Sequence, residues 1–171
     1  RIGTDGDMTA AALKFAELDG KVDAFGVGGA DLGVLVDGKW HPLYSAMKLI
    51  RYIKKTPVAD GAGLKNTLEE RVGAVLEAEL GDYISQAGGK KAFIMTGTDR
   101  WGLTQSFTQS GYDCVFGDLM FSLGIPIPIR SKKQLKVLAS LLMPVAGRLP
   151  FKWIYPTGEK QEERKPKQGK Y

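Results

Sequence analysis

The stretch that most constrains this chain is residues 91–118, which reads as strand, glycine-bearing turn, short helix, second strand and acid. Ala92-Phe93-Ile94-Met95 is an apolar run of strand length, and residues 96–102 form a turn with glycines near both ends. Residues 103–110 can make two helical turns before Gly111, and Asp113-Cys114-Val115-Phe116 supplies the second strand. Asp118 follows Gly97 by 21 residues. A dinucleotide-binding βαβ unit requires this order: glycines let the backbone approach a pyrophosphate at a helix N-terminus, and an acid about 20 residues on binds a ribose hydroxyl. On this reading Gly97 and Gly102 admit the pyrophosphate and Thr98 or Arg100 donates to it. Asp118 accepts from the adenosine ribose, which favours NAD over NADP because a 2′-phosphate would be repelled. An ordinary strand–helix turn that needs glycine for a positive φ fits the same residues. The Gly-x4-Gly spacing also opens a P-loop, but Leu103 stands where its lysine should be, which argues against an NTPase.

The rest of the chain alternates strands with helices. Asp7 can cap a helix carrying Met8, Ala11, Ala12, Phe15 and Leu18, ended by Asp19-Gly20. Residues 22–27 form a short β run closed by Gly26, Gly28 and Gly29. Residues 32–36, Asp37-Gly38 and residues 40–43 make a hairpin, since Asp-Gly suits a type I′ turn. Ser45 caps a helix with Ala46, Leu49, Ile50 and Ile53 on one face, and residues 57–60 are a strand ending in an acid. A long helix is expected over 64–84, with Leu64, Leu68, Val72, Val75, Leu76, Leu80 and Tyr83 as its apolar stripe. Ser131-x-x-Gln134 is a capping-box pattern ahead of Leu135, Leu138, Leu141, Leu142 and Val145, with Pro144 disturbing the last turn. This alternation predicts a three-layer Rossmann-like α/β domain with a mostly parallel sheet and one hairpin insertion, spanning 1–157. Residues 158–171 read as a charged linker or tail.

In such sheets a ligand binds beyond the carboxyl ends of the strands. Five turns sit there in the predicted order: 3–7, 26–31, 60–66, 96–102 and 117–118, each carrying Gly together with Asp. They predict one crevice, with a small-molecule substrate facing Asp5, Gly28, Gly29, Asp31 and Asn66. Asp60 and Lys65 stand at a helix start, where they could orient a hydroxylated substrate or transfer a proton if burial shifts the lysine. Capping of that first helical turn is the structural reading of the same segment. His41, the one histidine, falls in a hairpin strand and is expected at the surface, and Cys114 reads as a small core residue. One His and one Cys exclude a conventional zinc site.

No window reaches the ~18 uninterrupted apolar residues of a membrane span, no signal peptide opens the chain, and a single cysteine forbids an internal disulfide. A cytoplasmic protein is expected. Residues 1–4 read as the tail of a strand, so the sequence is expected to continue at both ends. Charge is uneven: residues 130–171 carry 11 Lys/Arg against 3 Asp/Glu, whereas residues 1–129 carry 13 against 16. No nucleic-acid or membrane partner is expected, and this basic segment is the one feature that would supply such a contact. The apolar residues of 135–155 are expected to pack on the domain or on a partner subunit, which admits a homo-oligomer.

Residues 26–30 (Gly-Val-Gly-Gly-Ala) are similar to the Gly-Ala-Gly-Gly-Ala turn of shikimate and quinate dehydrogenases. Residues 31–36 read as a strand rather than a helix, so substrate contact or backbone packing is expected there. Taken with IGTDGD (2–7), VDAFGVGGADLG (22–33), KTPVADGAGLKNTLE (55–69), GYDCVFGDLMFSLGIPIPIRS (111–131) and WIYPTGEKQ (153–161), the chain resembles a bacterial family labelled quinate 5-dehydrogenase. The resemblance implies NAD(P)-dependent oxidation of a hydroxylated cyclic acid such as quinate or shikimate, and a further α/β portion after Tyr171. No Asn-Arg-Thr-like segment follows, and Asp60 with Lys65 is the only counterpart of that group's hydroxyl-binding Lys and Asp. The alternative is therefore a non-catalytic nucleotide- or metabolite-binding α/β protein, regulatory or an assembly subunit.

Overall fold

The structure is a computed structural model that describes Thr4 and residues 6–155. Asp5, the remainder of the expected strand at 1–4, and the tail lie outside the described residues. Helix α1 (Met8–Leu18) begins at Asp7, whose carboxylate accepts the amides of Thr9 and Ala10 at 2.8 and 3.0 Å. This satisfies two of the donors that a helix start leaves unpaired. Its end, Asp19, accepts the amides of Lys54, Lys55 and Thr56 at 2.8, 3.0 and 2.8 Å. That clamp brings β4 (Val58–Ala59) alongside β1 (Phe25–Gly26) as a parallel pair with Phe25 opposite Val58.

β2 (Gly33–Val36) and β3 (Lys39–Pro42) form the expected antiparallel hairpin. Asp37 and Gly38 both have positive φ, 51° and 75°, as a type I′ turn demands. A Cβ on Gly33 would lie 2.2 Å from the Trp40 ring, so the indole can cover the opposite strand only because residue 33 is glycine. β5 (Lys91–Ile94) and β6 (Asp113–Phe116) pair in parallel across α5 (Trp101–Gln109), and Ile129 bridges Phe116 on the far side. The protein is thus a mixed α/β chain. Among the described residues its strands form three separate pairs rather than one sheet.

Two apolar clusters hold these pieces. The larger joins Ile94, Trp101, Cys114, Phe116 and Ile129 to Leu135 and Ala139 of α7 (Lys132–Ala146). The smaller centres on Val27, Leu32 and Leu49, with Phe15 of α1 and Phe151 of α8 (Phe151–Ile154) packed on it. Ser131 caps α7 by accepting the Gln134 amide at 3.2 Å.

Several expectations need correcting. The helix expected from Ser45 is a single turn, α2 (Tyr44–Met47). The amides of Leu49, Ile50 and Ile53 bond three residues back, which tightens the chain into successive turns. The long helix over 64–84 divides into α3 (Ala62–Leu68), a 3₁₀ turn (Glu69–Arg71) and α4 (Val72–Gln86). Leu64, Leu68, Val75, Leu80 and Tyr83 are exposed. What α4 turns inward is Gly73, whose amide donates to Ser106 Oγ at 2.8 Å and whose missing side chain lets α5 approach. On α7, Leu141 and Val145 of the expected stripe are exposed as well. His41, expected at the surface, is 6% exposed, although Lys39 and Trp40 before it on β3 are exposed. Burial, aided by Lys39, lowers its pKa, which favours the neutral ring. Residues 118–123 form a further helix, α6 (Asp118–Leu123), which starts in the turn expected at 117–118. Among the described residues no helix is long and apolar enough to cross a membrane.

The Asp19 clamp has a pH signature. The amide of Thr56 contributes most to holding this carboxyl at about 2, against an ordinary 3.8, with Lys54 and Lys55 adding to it. A depressed folded pKa stabilises above the unfolded value and ceases to do so as pH falls through the folded one. Thermal melts by circular dichroism should therefore show Asp19→Ala melting below the parent at neutral pH. The gap should narrow as pH drops from about 3.8 towards about 2.

Candidate functional site

Three strand-end turns meet at Lys65. Its ammonium lies 2.9 Å from Asp31 Oδ2, in the turn after β1, and 3.0 and 3.3 Å from the two oxygens of Asp99, in the turn after β5. Lys65 itself follows β4, at the second turn of α3. Exposure rises outward along this row: the side chains are 17% exposed at Asp31, 22% at Lys65 and 39% at Asp99. Burial acts to lower the lysine pKa, but the hydrogen bond it donates to Asp31 and the charge of Asp99 outweigh it and hold it above the ordinary value. Lys65 is therefore an ammonium at neutral pH, a donor and a positive charge rather than a base.

Tyr155, just beyond α8, closes the inner end. Its hydroxyl accepts the Asp31 amide at 3.0 Å and donates towards Asp31 Oδ2 at 3.4 Å. Burial pushes this phenol up to about 12, so it too keeps its proton. A hole of about 10 Å³, room for one water or one hydroxyl, is lined by Asp31, Ala62, Lys65, Asn66 and Asp99 together with the start of β2. Beside β1 and α1 lies a larger cleft of about 800 Å³, bordered by Phe15, Phe25, Gly26, Gly28 and Gly29. Side chains at Gly28 and Gly29 would meet nothing within 4 Å, so this turn is open to a ligand.

The structure brings Asp31, Lys65 and Asn66 together, as the crevice reading requires. It gives Asp60 different work. One oxygen accepts the Leu32 amide at 2.8 Å and the other the Ala62 amide at 3.0 Å, so this carboxylate ties the turn after β4 to the start of β2. The lysine's acid partners are Asp31 and Asp99 instead.

The turn at 96–102 also differs from what its spelling suggests. Gly97 faces the core: a Cβ there would lie 2.6 Å from Phe116, 2.8 Å from Leu135 and 2.9 Å from Thr104 Oγ1. Gly102 is glycine because α5 presses on α3, where a Cβ would come within 2.8 Å of the Lys65 carbonyl. Asp118, 4% exposed, accepts the amides of Gly97 and Thr98 at 2.8 and 2.9 Å and the Thr98 hydroxyl at 2.5 Å. The carboxylate expected on a ribose is thus turned into the chain, and it occupies the donors expected to meet a pyrophosphate. Arg100 is engaged by Glu69 and lies 3.6 Å from Asp99. Glu69, chiefly, raises its pKa.

Asp99 and Tyr155 were not singled out in the sequence as site residues. Asp99 had a signal, since it lies in one of the five Gly-Asp turns. Tyr155 had none beyond its place in the WIYPTGEKQ stretch, because its partner is 124 residues away. Among the described residues no group of three or more His, Cys, Asp or Glu is arranged to hold a metal ion.

The two glycine turns should respond oppositely to alanine. Gly97→Ala should destabilise by about 1–3 kcal/mol through overpacking. Gly28→Ala should stay within about 0.5 kcal/mol of the parent, as surface changes do. Urea unfolding of both variants measures this.

No curated protein matches the chain, and no solved structure does. Two family models match, both described as domains of unknown function: DUF8753 over residues 1–60 and DUF8754 over residues 63–171. The junction between them falls at Asp60-Gly61-Ala62-Gly63, in the turn that carries Lys65. Because the second match covers more than half of the sequence, the chain belongs to the DUF8754 family, a domain of unknown function.

Proposed function

We propose that this chain is a Rossmann-like α/β protein that binds a small hydroxylated acid, of the quinate or shikimate kind, in the crevice at the carboxyl ends of β1, β4 and β5. The observation that carries the reading is Lys65 held between Asp31 and Asp99. A hydroxylated acid needs a cation for its carboxylate and acceptors for its hydroxyls, and this row offers both within one lysine's reach. An ammonium has three donors. Asp31 takes one and the two oxygens of Asp99 share a second in the proposed complex, which leaves the third for a ligand. The hole beside it has room for a single hydroxyl.

A second reading, NAD(P)-dependent oxidation of that acid, draws on the family resemblance and on the open turn at Gly28 and Gly29. In it the cofactor lies in the cleft of about 800 Å³ rather than at Gly97. Bound NAD(P) would supply the hydride acceptor, and Asp99, the more exposed of the two carboxylates beside Lys65, would take the hydroxyl proton.

Calorimetric titration with quinate and shikimate, with and without NAD(H) or NADP(H), tests both readings. Binding of one acid is expected. Lys65→Met should weaken it by about 10- to 100-fold, the equivalent of one lost charge-assisted hydrogen bond. Absence of binding by either acid would sink the first reading. Acid binding without nicotinamide binding would sink only the second.

A further inference from the structure

The turn after β1 is shaped from outside. Two consecutive amides in it, those of Asp31 and Leu32, are held by side chains rather than by backbone: Asp31 by the Tyr155 hydroxyl at 3.0 Å, Leu32 by Asp60 at 2.8 Å. The tyrosine ring is itself placed by α8. Phe151 seats on the cluster of Val27, Leu32 and Leu49, and its ring lies 5.2 Å from that of Tyr155. One hydroxyl therefore touches both the backbone and the carboxylate of the residue that pairs with Lys65.

Asp31 lies in the stretch matched by the first family model, whereas Lys65, Asp99 and Tyr155 lie in the second. Neither stretch alone contains the row Tyr155–Asp31–Lys65–Asp99. We propose that Tyr155 is a positioning residue that fixes Asp31 against Lys65, so that the two family units form one ligand site only when α8 is seated. This rests on the reading of Lys65 as the ligand's anchor. Without the hydroxyl, the Asp31 amide loses its partner and the carboxylate loses one of its two donors. The turn is then free to carry Asp31 away from the ammonium. The groups facing Lys65 are Asp31 from the β1 turn and Asp99 from the β5 turn, with Tyr155 and Arg100 directly behind them.

The test uses Tyr155→Phe, which keeps the ring on Phe151 and removes only the hydroxyl. Two measurements are made on the whole chain: the titration midpoint of the Lys65 ammonium by NMR of isotopically labelled lysine, and the affinity for quinate and shikimate by calorimetry. In Tyr155→Phe the midpoint should fall towards the ordinary lysine value of 10.5. Affinity for the bound acid should fall by about tenfold, as for one lost hydrogen bond. Asp31→Asn should move both at least as far. A role in packing alone would change the melting temperature and leave the Lys65 midpoint in place, and that result would overturn the proposal. If the parent chain binds neither acid, the anchor reading fails, while the Lys65 midpoint still decides whether Tyr155 positions Asp31.

Discussion

One ammonium group, Lys65 Nζ, is what the arrangement of turns depends on. Among the described residues the strands are short and paired only in twos, so no continuous ladder of backbone hydrogen bonds there fixes the turn after β1 relative to the turn after β5. Lys65 connects them through charge-assisted bonds to Asp31 and Asp99, which are stronger than neutral ones and worth most where water is partly excluded. Two carboxylates facing each other without the lysine would repel. Under the proposed reading, the group that meets the ligand is also the one that ties these turns together.

Around that group, aspartate side chains do the work of secondary structure. Asp7 starts a helix, Asp19 holds three successive amides before β4, Asp60 holds the amides of Leu32 and Ala62, and Asp118 holds two amides and a hydroxyl. Each carboxylate satisfies backbone donors that a helix start or a short strand leaves unpaired. The glycines beside them either admit a close neighbour, as at Gly73, Gly97 and Gly102, or leave space, as at Gly28 and Gly29.

Local features were readable in the sequence, and the roles of individual side chains were less so. The Asp-Gly hairpin turn, the Asp7 cap and the strand–helix–strand order of 91–116 all follow from short-range chemistry, and each is present. The convergence of Asp31, Lys65 and Asn66 was legible because strand-end turns share one side of a parallel arrangement. What spacing could not convey is direction. Gly97 followed by an acid 21 residues on is compatible with a ribose contact or with a carboxylate folded back onto its own turn, and only packing against Phe116 and Leu135 separates the two. Helical periodicity likewise marked Leu64 to Tyr83 as one buried stripe. It could not register that Gly73 would leave no room for a side chain against α5.

The inward turn of Asp118 bears on how faithfully the chain folds. Its carboxylate follows β6 by two residues, and the amides it receives follow β5, whose Ile94 pairs with Phe116. A slip of one residue between the two strands would displace the carboxylate by about 3.3 Å along the strand axis and swap which side chains face the core. Bonds of 2.8 and 2.9 Å do not survive such a shift. A misaligned pair would leave the Gly97 and Thr98 amides unpaired beside a stranded buried charge. Asp118 thus acts as a checkpoint for alignment in a pair of strands only four residues long, where hydrophobic patterning alone discriminates weakly.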